Sequence, residues 1–313
     1  MLALRRGDNL AGVLPLEAVR GALRAPTNWH TPSFAGVFTD RHAAETLVGV
    51  ALTETRRHLE LSLLDSGSAL VPVIHELSAR SGTLVHSRVM CRAPYLELPE
   101  SPEAFEAMLT AKRRSGLRRL RRRLAELGEV SVQLCTEEGG FDERLSEGLA
   151  VEHSGWKGKR GTAIASQRAT RAFYADIASW LARRGWLRLA FLRLNGRAIA
   201  FDLAAEMDGV HYLVKTGYDE TLRSLAPGMV LRHEMILRCI RSGCRSYEFL
   251  GSEMPWKRVW TRTSHDRLQL HAFAATVPGR ADWLIVSRAL PVARRVRDRA
   301  RVARAMAGRR FQR

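Results

Sequence analysis

Residues 187–218 read LRLAFLRLNGRAIAFDLAAEMDGVHYLVKTGY. Three apolar runs are separated by Asn195-Gly196 and by Asp208-Gly209, pairs that readily take the left-handed conformations a two-residue hairpin turn requires. The stretch predicts a three-stranded antiparallel meander with strands at 187–194, 198–207 and 210–218. Downstream, the loop DETLRSLAPG leads to a helix over about 229–241, a strand at 246–250 and another at 268–274. Upstream lie a strand at 129–134, a helix at 141–153, the glycine-rich loop SGWKGKRGT and an amphipathic helix over 166–184 stopped by Gly185. The pattern is that of a mixed α/β (α+β) fold with a mostly antiparallel sheet between helices.

The front of the chain is less regular. A hairpin is predicted from residues 2–5 and 10–16 around the turn Arg6-Gly7-Asp8-Asn9, followed by a strand at 34–38, a helix at 42–57, a strand at 59–64, a helix at 68–80 and a strand ending in RAPYLEL. Ser101-Pro102-Glu103 has the form of a helix start, and that helix is expected to run to Leu127-Gly128 with a break at Gly116. LALRRGDNLAGVLPL near the amino terminus echoes LAFLRLNGRAIAFDL at 189–203, so two copies of one fold are expected, the first lacking its opening strand and helices. A start codon placed too late would also give such a front. The expected division is 1–110, 111–280 and a basic helical tail at 281–313.

The 313 residues, 46% of them apolar, can fill one large or two medium cores. No apolar run approaches the roughly 18–20 residues of a membrane span, and the first residues lack the apolar core of a signal peptide, so the cytoplasm is the expected compartment. Cys91, Cys135, Cys239 and Cys244 form no CxxC pair and read as ordinary buried thiols, with no zinc site indicated. Two segments carry nearly all of the formal net charge of +18. Residues 112–123, KRRSGLRRLRRR, hold eight basic residues and no acidic one, and residues 288–313 hold ten arginines against Asp298. Arginine bias alone gives part of this excess, since only five of the 50 basic residues are lysines. The other reading is contact with a polyanion, either anionic lipid headgroups or RNA phosphates. The apolar stripe of the tail supports loose membrane-surface attachment at most.

A strand that turns directly into a helix presents backbone N–H groups and a positive dipole end to an anion. Residues 224–230, SLAPGMV, sit at such a junction, and Gly228 lets a phosphate approach the backbone. A pyrophosphate-bearing cofactor would suit it; an ordinary helix cap would read the same way.

Four motifs fall in order along the chain: EHSGWKGKRG at 152–161, YDE at 218–220, SLAPGMVL at 224–231 and YEFLGSEMPWKRVW at 247–260. Together they resemble the CelD-like branch of the GNAT acyltransferases, which is associated with cellulose or exopolysaccharide biosynthesis and is related to the Fem-type tandem-GNAT transferases. The resemblance covers about 111–274 and is weaker over 1–100. It implies a tandem GNAT-like fold with acetyl-CoA or another acyl-CoA as co-substrate and no metal. The donor would lie along Lys215, Thr216, Gly217, Ser224, Ala226, Pro227, Gly228 and Met229. Attack of an amine on a thioester needs a base to deprotonate it, and the candidates are Asp219, Glu253 and Glu152. Asp219 and Glu220 read equally as a turn, and Glu253 as a helix cap or a partner of Lys257. The family often has tyrosine where Trp256 stands, so Tyr218 or solvent must protonate the leaving thiolate. Trp156, Lys157, Lys257 and Trp260 are the substrate-side candidates, while His153 and His233 read as packed or solvated.

The expected activity is N-acyl transfer to an amine of a cell-envelope or exopolysaccharide precursor. A Fem-like transferase using aminoacyl-tRNA, with the 112–123 helix on the RNA, is the alternative, and a non-catalytic scaffold is the third reading.

Overall fold

The computed structural model describes residues 1–136, 139–154 and 164–289. These fall into two compact units: Ala93–Ser264 forms one, and Met1–Arg92 together with the segment from His265 onward forms the other. The borders at 110 and 280 read from the sequence follow the order of elements, whereas the units follow packing. The strand Ser264–Phe273 pairs with His58–Asp65 and so completes the first unit from the far end of the chain.

In the first unit, β1 (Leu2–Arg6) and β2 (Asn9–Leu14) form the hairpin expected at the front, with β5 (Val37–Phe38) beside β2. A short second hairpin, β3 (Glu17–Val19) and β4 (Ala22–Arg24), was not legible in the sequence pattern; its turn at Arg20-Gly21 puts both residues at positive φ. β4 pairs in parallel with β6 (His58–Asp65) after the intervening helix α1 (Arg41–Glu54), which Asp40 caps by accepting the N–H of Ala43. α2 (Leu70–Ser81) and β7 (Leu84–Glu97) follow. Leu59, Leu61 and Leu64 of β6 pack with Leu47, Val48, Val73 and Ile74 of the two helices.

The second unit opens with α3 (Pro102–Met108) and α4 (Ala111–Ala125). The sequence reading placed a break at Gly116; the chain breaks instead at Leu109-Thr110, where the Thr110 hydroxyl accepts the N–H of Arg113 and starts a new helix. Next come β8 (Val130–Cys135), α5 (Phe141–Ser154), α6 (Arg168–Arg183) and the meander β9 (Leu187–Leu194), β10 (Arg197–Met207) and β11 (Val210–Tyr218). α7 (Pro227–Arg241) connects β11 to β12 (Ser246–Glu248), which runs parallel to it; the last residues of β7 pair with β12. Hairpin, strand, helix and parallel strand thus recur in both units, as the sequence echo suggests. β13 (Ser264–Phe273) and α8 (Val277–Leu284) follow, and a π-helical turn, Ile285–Ala289, ends the described chain.

Both faces of the meander are covered. Alternate residues of β9 explain this: Leu187, Leu189 and Phe191 pack with Leu149, Tyr174 and Leu181 of α5 and α6, while Ala190 and Leu192 pack with Leu117, Leu231 and Met235 of α4 and α7. No helix among the described residues is long and apolar enough to cross a membrane. Cys135, Cys239 and Cys244 are buried, Cys91 is half-buried, and all four are free.

A fully buried ion pair joins β10 and α7. Asp202 of β10 and Arg232 of α7 are each 1% exposed, and their bidentate pair includes a 2.7 Å bond from Nη2 to Oδ1. Burial alone disfavours the charged guanidinium, but Asp202 outweighs it and holds Arg232 above its ordinary range. Removing one partner strands the other charge in the core. Asp202→Asn is expected to lower the unfolding free energy by about 3–5 kcal/mol, and Asp202→Leu combined with Arg232→Met to recover most of it, in urea melts.

A second polar contact makes stability depend on acidity. His211 is fully buried and hydrogen-bonds Glu206 through Nδ1 at 3.5 Å; the carboxylate can only accept, so the neutral ring donates. That hydrogen bond, with Arg188 at 3.1 Å, holds Glu206 down to about 2, and burial holds His211 below its ordinary 6.5. Both pKa values are depressed in the fold, so on acidification the unfolded chain takes up protons first. Stability is expected to fall below about pH 6.5 through His211 and from 4.5 toward 2 through Glu206, at up to about 1.4 kcal/mol per pH unit per group. Glu206→Gln should flatten the lower part of the profile in urea melts taken across that range.

Candidate active site

β11 is paired with β12 over three residues only, Val210 to Tyr212, and its last six residues run on without a β12 partner. The two parallel strands part there, and α7 begins beside the opening. Its first residue is Pro227, and no side chain caps it. Ala226, the residue before, has φ 44° and ψ 55°, a left-handed conformation that costs a residue with a Cβ about 1–2 kcal/mol. A helix start without a side-chain cap, strain and a fork in the sheet thus coincide at one place.

A cavity of about 450 Å3 occupies this fork. Thr216, Gly217 and Tyr218 line it from β11, Ala226, Gly228, Met229 and Arg232 from the start of α7, Glu152 from α5, and Met254 and Trp256 from the segment after β12. Two glycines shape it. A Cβ on Gly217 would come within 2.7 Å of the Glu152 Cα, so only glycine lets α5 lie this close to β11. A Cβ on Gly228 would meet the Tyr218 ring at an ordinary 3.5 Å, so what a larger side chain would fill there is the cavity itself. Arg232 ties the fork together: besides Asp202 it donates to Thr216 Oγ1 at 3.2 Å and to the Tyr247 hydroxyl, and its guanidinium lies 5.8 Å from the centre of the Trp256 ring. Burial pushes the Tyr247 phenol up, so it stays protonated.

The carboxylates separate by surroundings. Glu152 is 3% exposed and accepts the Ile164 N–H at 3.0 Å. Asp219 does not line the cavity; it caps the short 3-10 turn Glu220–Leu225 by accepting from the N–H and hydroxyl of Thr221 and pairs with Arg197. Glu253 is held by Arg258 at 2.7 and 2.9 Å. Lys257 donates to the carbonyls of Leu250 and Ser252, which fixes the turn after β12. Trp260 is buried against His233, whose Nε2 contacts Glu106 at 2.5 Å. Lys215 lies with its Nζ 5.1 Å from the centre of the Tyr174 ring, and Ser224 is exposed at the end of the turn. Trp156 and Lys157 lie outside the described residues.

Glu220, Arg223, Arg232 and Met254 line the cavity without having been singled out for it. For Arg232 a signal existed: an arginine between Val230-Leu231 and Met235-Ile236, facing a strand with Asp202 at the centre of its apolar run, points to a buried pair. A second cavity, of about 480 Å3, is lined by Lys112, Arg113, Gly116, Leu117 and Leu120 of α4 and by Met229, which also lines the first. Not every arginine of α4 is free for a ligand: Arg113 donates to the Val259 carbonyl, Arg114 to those of Glu106 and Leu109, and Arg121 pairs with Glu234. Lys112, Arg118, Arg119, Arg122 and Arg123 stand exposed.

No curated protein matches the chain by sequence. Among solved structures, the chain is similar to FemX, with a TM-score of 0.57 at 10% identity over 91% of this chain and 89% of that one. It is also similar to L-PGS from Bacillus licheniformis, at 0.56 and 12% over 89% and 85%. A third likeness is to the C-terminal domain of a protein described as a lysylphosphatidylglycerol synthetase from Agrobacterium fabrum, at 0.55 and 14% over 88% and 83%. At such identities the likeness establishes the fold, a mixed sheet flanked by helices. Residues 111–258, which contain the fork, Arg232 and the cavity wall, match the family described as an acetyltransferase (GNAT) domain.

Proposed function

We propose that the chain is an N-acyltransferase that takes its acyl group from acetyl-CoA or another acyl-CoA and delivers it to an amine of a cell-envelope or exopolysaccharide precursor. The observation that carries this reading is the cavity at the fork, where a helix start without a side-chain cap adjoins a partly apolar space. The donor pyrophosphate would meet the Ala226 to Met229 backbone, where the Gly228 N–H and the helix dipole favour negative charge. The acyl arm would run along Thr216 to Tyr218, with its thioester against the β11 edge.

The amine nitrogen attacks the thioester carbonyl, the new C–N bond forms, the C–S bond breaks, and one proton passes from nitrogen to the departing sulfur. Glu152 is the carboxylate both buried and part of the cavity wall, so the base role falls to it; Asp219 and Glu253 are engaged with Arg197 and Arg258. Tyr218, also in the wall, is the group placed to return a proton to the thiolate, since a tryptophan stands at 256. Trp156, Lys157, Lys257 and Trp260 keep their place as candidates on the acceptor side, with Lys257 shaping the turn around it.

A second reading rests on α4. This helix lines the cavity that shares Met229 with the fork and carries the exposed Arg118, Arg119, Arg122 and Arg123, which suits a larger polyanionic donor such as aminoacyl-tRNA. Phosphate contacts of that kind weaken steeply as salt rises. Contact of the same arginines with an anionic membrane is a weaker extension of this idea.

Calorimetry of the purified chain with acetyl-CoA and longer acyl-CoAs tests the proposal. Saturable binding that Gly228→Glu abolishes is expected, and Glu152→Gln should keep donor binding while lowering kcat about 10²- to 10⁴-fold on an amine acceptor. No acyl-CoA binding by the folded protein, together with salt-sensitive retention of charged tRNA, would transfer the assignment to the second reading.

A further inference from the structure

The first unit holds a polar cluster that the transfer chemistry does not use. β6 and β13 are antiparallel neighbours, and His271 pairs directly with Glu60 across them. On β6, His58 and Glu60 are two residues apart and share a face, while Leu59 and Leu61 turn to the apolar core on the other. Two strand positions at i and i+2 and the cross-strand partner of one of them therefore converge. One ligand atom from each of His58, Glu60 and His271 lies within 4.8 Å of the other two.

The surroundings prepare these groups as ligands. Asp282 of α8 hydrogen-bonds His58 Nδ1 at 2.9 Å, which holds the proton on that nitrogen and leaves the Nε2 lone pair 4.0 Å from Glu60 Oε2. Arg57 fixes Asp282 in turn, with Nε 2.8 Å from Oδ2. Glu60 Oε1 accepts from Gln269 Nε2 at 2.7 Å and from Ser62 at 3.2 Å. His271 is 5% exposed, yet its Nδ1 has no hydrogen-bond partner, a buried polar atom that ordinarily finds one.

We propose that His58, Glu60 and His271 bind a divalent ion of the zinc class, with Asp282 as the positioning residue for His58 and water in the fourth place. Two imidazoles and a carboxylate suit Zn2+, whose tetrahedral ligand atoms stand about 3.4 Å apart at bond lengths of about 2.0–2.2 Å. Modest side-chain rotations close the present spacing. Arg24, whose Nε is 3.2 Å from Glu60 Oε2, has a side chain 42% exposed and can yield its place toward solvent. The ion fastens β6 to β13, the strand that arrives from the far end of the chain.

Co2+ titration of the EDTA-stripped full chain tests this. One ion per chain with visible d–d absorption of tetrahedral cobalt is expected, displaced by Zn2+, together with a rise in Tm on Zn2+ addition. His271→Ala and Glu60→Gln should abolish the band, Asp282→Asn should weaken binding about 10- to 100-fold, and exposed His75→Ala should leave it unchanged. Circular dichroism checks that each variant is folded, and the wild-type titration stands without them. Absence of a band in the wild-type chain overturns the proposal, as does a band that survives both ligand substitutions. A thiolate-to-cobalt charge-transfer band would overturn it too, by placing the ion at the separate grouping of Glu206, His211 and Cys239.

Discussion

The second unit depends on one buried guanidinium. Arg232 reaches from α7 to side chains on three strands, Asp202 on β10, Thr216 on β11 and Tyr247 on β12, beside the place where β11 and β12 part. An arginine with five donors in a fixed plane can hold several such acceptors at once. A buried ion pair contributes little net stability against an apolar substitute. Its value here is geometric, since it fixes the angle at which helix and strands meet, and so the shape of the space between them.

That space explains why strain and irregularity gather nearby. Ala226 is held left-handed immediately before Pro227, α7 starts with no side chain over its first turn, and Gly217 allows α5 to press against β11. Each feature is unfavourable or neutral for folding alone, and each involves residues that line the cavity. The carboxylates divide in the same way. Asp219 is engaged in its turn and Glu253 with Arg258, whereas Glu152 lies in the cavity wall.

The meander, the α7 start and the paired hairpins were legible because their signals are local: Asn-Gly and Asp-Gly turns, alternating apolar runs and Ala-Pro-Gly at a helix entry. The break before α4 was misplaced because Gly116 is the more conspicuous helix breaker, while the actual device is the Thr110 cap. The arginines of 112–123 looked alike in the sequence, yet Arg113 and Arg114 spend their donors on backbone carbonyls. What could not be read locally was pairing over distance. Asp202 with Arg232, and His58 and Glu60 with His271, join residues from separate elements, and β13 completes a unit begun some 200 residues earlier.

The account turns on whether the fork is where a donor binds. Amide hydrogen exchange of the full chain, with and without saturating acetyl-CoA, tests this directly. Protection concentrated in residues 215–232 is the result the account requires. Exchange there that is unaltered by the ligand, or protection confined to other segments, would contradict it.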